Sequence, residues 1–245
     1  MTGRPRSPRD VRRPGPSRPV KPPLSVQTTT LWEYPSQHYG DEIQGSQSYV
    51  GATPSWVIWN LVQRYTREGE LVIDPMCGSG TTLDVARDTR RVARGFDLAP
   101  PRADVERADA RRLPAEKNSA ALVFLDPPYG DHIHYSDDAA CIGKLSAYDP
   151  RYFREMEKVL RECVRVLRPG GHLGLYCCDF FNKKHGFAPV GFGLFSIVAT
   201  LCVPVDVVCV VRHNKSLALG NYHKAAAEQN FFLRGFNYLF IARKR

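Results

Sequence analysis

The stretch "LVIDPMCGSGTTLDVA", residues 71–86, passes from an apolar run to an acid, through a glycine-bearing turn, and into helix-forming sequence. It reads as a buried strand ending at Asp74, a loop carrying Gly78, Ser79 and Gly80, and a helix opening at Thr81 or Thr82. Glycines permit a tight turn and let a ligand approach the backbone. No Gly-Lys-Ser/Thr follows, as a P-loop requires, and the full GxGxxG dinucleotide pattern is missing. A phosphate is therefore not the obvious guest of this loop.

Working outward, the sequence alternates between strands and helices. Upstream, "TPSWVIWNLVQRYT" reads as a helix, with Thr53 as N-cap, Pro54 at the first helical position, and Val57, Leu61 and Tyr65 repeating every four residues. Downstream, "VARGFDL" and "ALVFLD" read as strands. "YFREMEKVLRECVRVL" reads as a helix with Phe153, Met156, Leu160, Cys163, Val164 and Leu167 at helical spacing, stopped by "RPGG". "HLGLYCCD" gives another strand, and Pro189 to Leu201 a helix that Gly191 and Gly193 weaken. "PVDVVCVVRH" and "FNYLFIARK" form a last strand pair, joined by a polar loop of about 25 residues. Such alternation predicts βαβ units and a mostly parallel sheet closed by an antiparallel pair.

The chain has 245 residues, 43% of them hydrophobic, enough for one large domain. We expect a tail over residues 1–25 and a single domain over 26–245. The tail holds seven basic residues, one acid and seven of the 19 prolines, so disorder is expected there. Net charge is +9, yet the body keeps a near balance of 27 basic and 24 acidic residues. The tail is either a solubilising leader or a polycation that holds nucleic acid without reading sequence. The sequence has no apolar run of about 18 residues and no apolar segment behind its basic start, so neither a membrane span nor a secretory signal is expected, and the cytoplasm is the expected location. Seven cysteines, mostly inside apolar runs, read as buried free thiols. Without a CxxC pair, no metal is expected.

"LDPPYGDHIHYSDD", residues 125–138, is the second informative segment. Prolines end a strand, so Asp126, Pro127, Pro128 and Tyr129 fall at a strand's carboxyl end, where open α/β sheets bind ligands. Asp97 ends the strand 23 residues beyond Asp74, where a carboxylate can accept both hydroxyls of a ribose, and Asp109 follows at the end of a third strand. Any one of these acids alone reads as a solvated or capping carboxylate. Three at successive strand ends beside a Gly-Ser-Gly turn form a pattern.

"DPMCGSGTT" with "DPPY", 52 residues apart, resembles the S-adenosylmethionine-dependent methyltransferases that modify exocyclic amino groups of nucleobases, the N6-adenine and N4-cytosine DNA methyltransferases. The resemblance covers roughly residues 50 to 180. It implies the class I methyltransferase fold, an α/β, Rossmann-like seven-stranded, mostly parallel sheet with an antiparallel C-terminal strand pair. It also implies S-adenosylmethionine as cofactor, its amino-acid portion lined by Asp74, Met76, Gly78 and Gly80, its ribose held by Asp97, and its adenine amino group facing Asp109. Thr53 and Pro54 are candidates at the methionine end. Asp126 and the carbonyl of Pro127 would accept hydrogens from the target amine, Pro128 would add rigidity, and Tyr129 would stack on a base removed from its helix. No metal and no covalent enzyme intermediate are implied.

The implied partner is nucleic acid, DNA ranked ahead of RNA, and no membrane. RNA guanine-N2 methyltransferases resemble the chain in the same two motifs, and a nucleic-acid-binding module with a degenerate fold of this kind is the reading from another class. Little chain is left for reading a target sequence. Segments 131–150, 181–188 and 213–236 are the candidates, with His132, His134 and Tyr135 placed for base or phosphate contact and basic and aromatic residues in the last segment. A separate specificity subunit would be the alternative.

Overall fold

The computed structural model describes residues 21–245 except 47, 50, 130–132, 134, 183, 214–216 and 218. Eight strands form the main sheet: β1 (Leu31–Trp32), β2 (Leu71–Asp74), β3 (Val92–Asp97), β4 (Val105–Arg107), β5 (Ala120–Leu125), β6 (Leu167–Cys177), β9 (Val203–Val211) and β10 (Phe236–Arg243). Their spatial order is β1-β9-β10-β6-β5-β2-β3-β4. Strands β4, β3, β2, β5 and β6 pair in parallel, and β10 lies antiparallel between β6 and β9. The expected mostly parallel sheet with an antiparallel C-terminal pair is present, with one strand more than seven.

The additional strand is β1, which pairs in parallel with Cys209 and Val210 of β9. It comes from the turn-rich stretch ahead of the first helix, where two residues are too few to show a period. Trp32 drives the pairing: it is buried, packs 6.5 Å from Trp56, and donates its indole N–H to the carbonyl of Thr29. A separate hairpin, β7 (Phe180–Asn182) and β8 (Gly186–Ala188), follows β6.

Helices cover both faces. Helices α1 (Ser55–Tyr65) and α2 (Thr81–Asp88) lie on one side, with Val57, Ile58, Leu61 and Val85 packed on Val72, Leu122 and Phe124. On the other side, α3 (Pro150–Val166) and α4 (Val190–Leu201) bury Met156, Leu160, Leu194 and Val198 against Ile73, Val123 and Leu125. Strand β5 is buried along its whole length, which is why it reads as an unbroken apolar run. Helix α3 starts where Asp149 accepts a hydrogen bond from the Arg151 N–H, with Pro150 at the first position.

Three expectations need correction. Pro54, not Thr53, caps α1, because the Thr53 hydroxyl is engaged elsewhere. "RPGG" is not a stop after α3 but the first part of β6, entered directly from Val166. The connection between β9 and β10 contains a helix, α5 (Gly220–Glu228), whose residues bury nothing and so leave no apolar period in the sequence. Of the expected tail, residues 1–20 lie outside the described residues. Residues 21–25 run along the domain: Lys21 Nζ donates to the Gly40 carbonyl, the Tyr34 hydroxyl donates to the Pro22 carbonyl, and Leu24 packs on the α1 face. Among the described residues no helix is long and apolar enough to cross a membrane.

From β2 the chain moves outward through β3 to β4, and from β5 it moves the opposite way to β6. The direction reverses between β2 and β5, and a crevice opens at the carboxyl ends of strands at such a reversal. Gly95 of β3 shapes its floor, because a Cβ there would fall 2.4 Å from Cys77 Sγ and 2.9 Å from Cys77 Cβ. Gly95→Ala should therefore force the glycine loop off β3 and lower stability by about 1–3 kcal/mol. Calorimetric melting should show a fall in Tm of several degrees.

Candidate functional site

The crevice encloses about 970 Å³ of empty space, its mouth included, between the ends of β2, β3 and β5 and the segment ahead of α1. Asp74 stands at its base as a clasp. Its carboxylate accepts from the Thr82 hydroxyl at 2.5 Å and from the Met76 N–H at 3.1 Å, pinning the glycine loop to the start of α2. Burial pushes the Asp74 carboxyl up to about 7, and the nearby charge of Asp97 adds to this. Gly78 adopts φ +46°, and the ring of Tyr49 occupies the place a Cβ would take, 2.8 Å away. Asp97 accepts from the Gly78 N–H at 3.1 Å and from the Ala99 N–H at 2.9 Å, tying the end of β3 to the same loop.

Asp126 stands across from Asp74 at the end of β5. The Thr53 hydroxyl donates to its carboxylate at 2.5 Å, over 73 residues of chain. Burial pushes this carboxyl up to about 7, the charge of Asp74 adds to the effect, and the Thr53 hydrogen bond and Arg212 act against it. Pro127, Pro128 and Tyr129 continue the wall. Tyr135 closes it, its ring packed where a side chain on Gly143 would sit.

Ten of the twelve residues assigned from the sequence to the cofactor and the target amine therefore meet at one crevice: Thr53, Asp74, Met76, Gly78, Asp97, Asp109, Asp126, Pro127, Pro128 and Tyr129. Gly80 and Pro54 do not line it. Gly80 caps α2 at φ +80°, with the Arg102 guanidinium where its Cβ would be, and Pro54 caps α1. Asp109 lines the wall with its carboxylate clasped by the Arg111 guanidinium, which also reaches Glu155, and this pairing holds the Asp109 carboxyl below its ordinary value despite burial. His132 and His134 lie outside the described residues.

Sequence reasoning missed Tyr49, Thr82 and Cys141 on the walls. Thr82 was visible as the second threonine of "GTT". Tyr49 left no signal, because its place depends on a segment that clamps onto α2 through three contacts: Tyr39 hydroxyl to Asp88 at 2.8 Å, Gln44 Nε2 to Asp88 at 3.4 Å, and Gly45 N–H to Asp84 at 2.7 Å. Burial first, and then the charges of Asp97, Asp126 and Asp74, push the Tyr49 phenol up to about 12, so it stays protonated as a donor.

Residues 6–105 match the family model N6_N4_Mtase, described as DNA methylase. This match supports the DNA amino-methyltransferase family. It takes in Thr53, the glycine loop and Asp97 and ends ahead of Asp126. S-adenosylmethionine is the cofactor of these methyltransferases, and the crevice suits it in size, with a loop of glycine backbone and an acid at a strand end. The sequence matches no curated protein. Among solved structures, TrmN from Thermus thermophilus superposes with a TM-score of 0.53 at 18% identity, covering 80% of this chain and 50% of that one. The chain thus spans half the length of TrmN. The [4+2]-cyclase SpnF superposes with a TM-score of 0.50 at 15% identity, covering 84% of this chain and 88% of that one. Both likenesses show the class I methyltransferase fold alone, and a fold shared with a cyclase leaves the chemistry to the site residues.

Two outcomes follow from the paired carboxyls. Thr53→Val removes a donor that favours the ionised form, so the Asp126 carboxyl, followed by carbon-detected NMR, should titrate above about 7; an unmoved titration would exclude the hydroxyl as its partner. A carboxyl held high binds a proton in the folded chain that the unfolded chain has already lost, between about pH 4 and 7. Ionising it therefore costs stability as pH rises through that window. Tm of Asp126→Asn relative to the parent should climb from pH 5 to pH 8, and a flat difference would contradict the assignment.

Proposed function

We propose that the protein methylates an exocyclic amino group of a nucleobase in DNA, N6 of adenine or N4 of cytosine. The observation that carries this reading is Asp126, fixed at the end of β5 by the Thr53 hydroxyl and followed by two prolines, facing a glycine loop across one crevice. An exocyclic amine is a poor nucleophile because its lone pair is delocalised into the ring. Two rigid acceptors, the Asp126 carboxylate and the Pro127 carbonyl, can take its two hydrogens and so turn the lone pair out of conjugation and toward the crevice. Proline fixes φ, so these acceptors are set before substrate arrives. Tyr129 and Tyr135 offer ring faces for the base.

Gly78, Met76 and Asp97 are the residues that would hold S-adenosylmethionine, which when bound supplies an electrophilic methyl group on a sulfonium. Gly78 makes the tight turn and admits the Tyr49 ring that walls the crevice, and Asp97, anchored by two N–H groups, retains acceptor capacity for ribose hydroxyls. Asp74 serves the site from behind, by holding the loop. Asp109 is already paired with Arg111, so its share in cofactor contact is to shape the wall.

Mass spectrometry of nucleosides, after incubation with labelled S-adenosylmethionine and DNA or RNA in parallel, tests the reading. Label on N6-methyladenine or N4-methylcytosine is expected. Label on N2-methylguanine from RNA would move the same residues to RNA chemistry. Asp126→Ala should bind cofactor within a few fold of the parent and lose at least about a hundredfold in turnover, whereas Asp97→Ala should weaken cofactor binding by about tenfold or more. In the parent, kcat/KM should rise with pH through about 7, as the Asp126 carboxyl ionises and becomes an acceptor.

A further inference from the structure

Outside the crevice, two segments leave the same carboxyl edge of the sheet and meet: the β7–β8 hairpin and the connection from β9 to β10. Phe181 of the hairpin and Phe231 of the connection stack at 5.6 Å with their planes 9° apart, which joins the two into one surface. Tyr148, ahead of α3, braces the hairpin by donating its hydroxyl to the Gly186 carbonyl at 2.6 Å. On this surface Phe232 is 80% exposed and Phe187 51% exposed, with the Arg234 guanidinium 5.5 Å over the Phe187 ring. Arg234 Nε is buried and has no hydrogen-bond partner among the described residues. Among the described residues of 180–188 and 212–236, four Lys and Arg stand against one acid, Glu228.

We infer that this surface binds an unpaired strand of DNA and delivers it to the crevice. The inference rests on the nucleobase reading above and names the form of its substrate. Exposed rings on a basic ground fit a single strand, whose bases can turn their faces to stack on them, whereas a duplex has already spent those faces on stacking between its own successive base pairs. Charge complementarity supplies the remainder of the attraction. The surface also connects to the chemistry: Arg212 donates to Cys178 Sγ at 3.2 Å, where β6 ends, and its charge acts on both Asp126 and Tyr129. Leu125 of β5 pairs in parallel with Leu175 of β6, so Asp126 and Cys178 leave the same edge of the sheet on neighbouring strands, and a strand of DNA seated on the two segments comes to the side of the crevice that holds Asp126.

Fluorescence anisotropy with a labelled oligonucleotide of about 16 nucleotides, the upper end of single-strand site sizes, tests this on the full chain. The single strand should bind about tenfold tighter than the same sequence as a duplex, and Phe187→Ala/Phe232→Ala should lose about tenfold of that affinity while S-adenosylmethionine binding stays within twofold. Lys224→Glu, an exposed change, should weaken binding and reduce its salt dependence even if the aromatic variant fails to fold. Equal or tighter duplex binding, a single-stranded RNA bound tighter than DNA, or undiminished affinity in both variants would overturn the inference. Tight single-strand binding with no label transferred to any nucleoside would instead support this surface and sink the proposed function.

Discussion

Two carboxylates buried side by side at the ends of neighbouring parallel strands set the terms for the rest of the molecule. The charge of Asp74 raises the proton affinity of Asp126, that of Asp97 raises the proton affinity of Asp74, and burial makes each need a donor close at hand. Both obtain it from a threonine at or beside the start of a helix: Thr82, in the first turn of α2, serves Asp74, and Thr53, ahead of α1, serves Asp126. The two helices that cover one face of the sheet are thus fixed at their amino ends by the acids they satisfy. Their apolar faces then bury Val57, Leu61 and Val85.

What was legible in the sequence follows from the range of the contacts. The glycine loop, the strand exit at Asp126 and the buried run of β5 are local patterns, and the backbone rules that produce them act over a few residues. The Thr53 hydroxyl illustrates the limit: helix-start chemistry pointed to a cap, and only the return of β5 beneath α1 shows that the hydroxyl has a stronger claim on it. Asp109 is similar, since its pattern could announce an acid at a strand end but not the Arg111 that clasps it. Tyr49, β1 and α5 were invisible for a different reason. Each is held by long-range packing or not packed at all, and neither case leaves a period.

The segment ahead of α1 acts as a clamp as well as a wall. Tyr39, Gln44 and Gly45 fasten it to Asp84 and Asp88 of α2, and Arg102 reaches the same Asp84 from beyond β3 while covering Gly80. One acidic helix face therefore gathers the segment that carries Tyr49 and the loop that follows Asp97. The crevice keeps its shape through these polar ties at its rim, whereas the apolar core beneath fixes only the strand ends.

The bond between Thr53 and Asp126 has a further consequence in the order of synthesis. Thr53 leaves the ribosome 73 residues ahead of its acceptor. At about 5–20 residues per second, its hydroxyl is without that acceptor for roughly 4–15 s. During that interval α1 can form, but the strand it must cover does not yet exist, and its tryptophans and valines stay open to solvent or to a chaperone. Asp126 meets its donor only when β5 slides in beside β2, so the first moment at which this chain can satisfy that acid is also the moment at which the earlier half of the sheet offers β6 an edge to join.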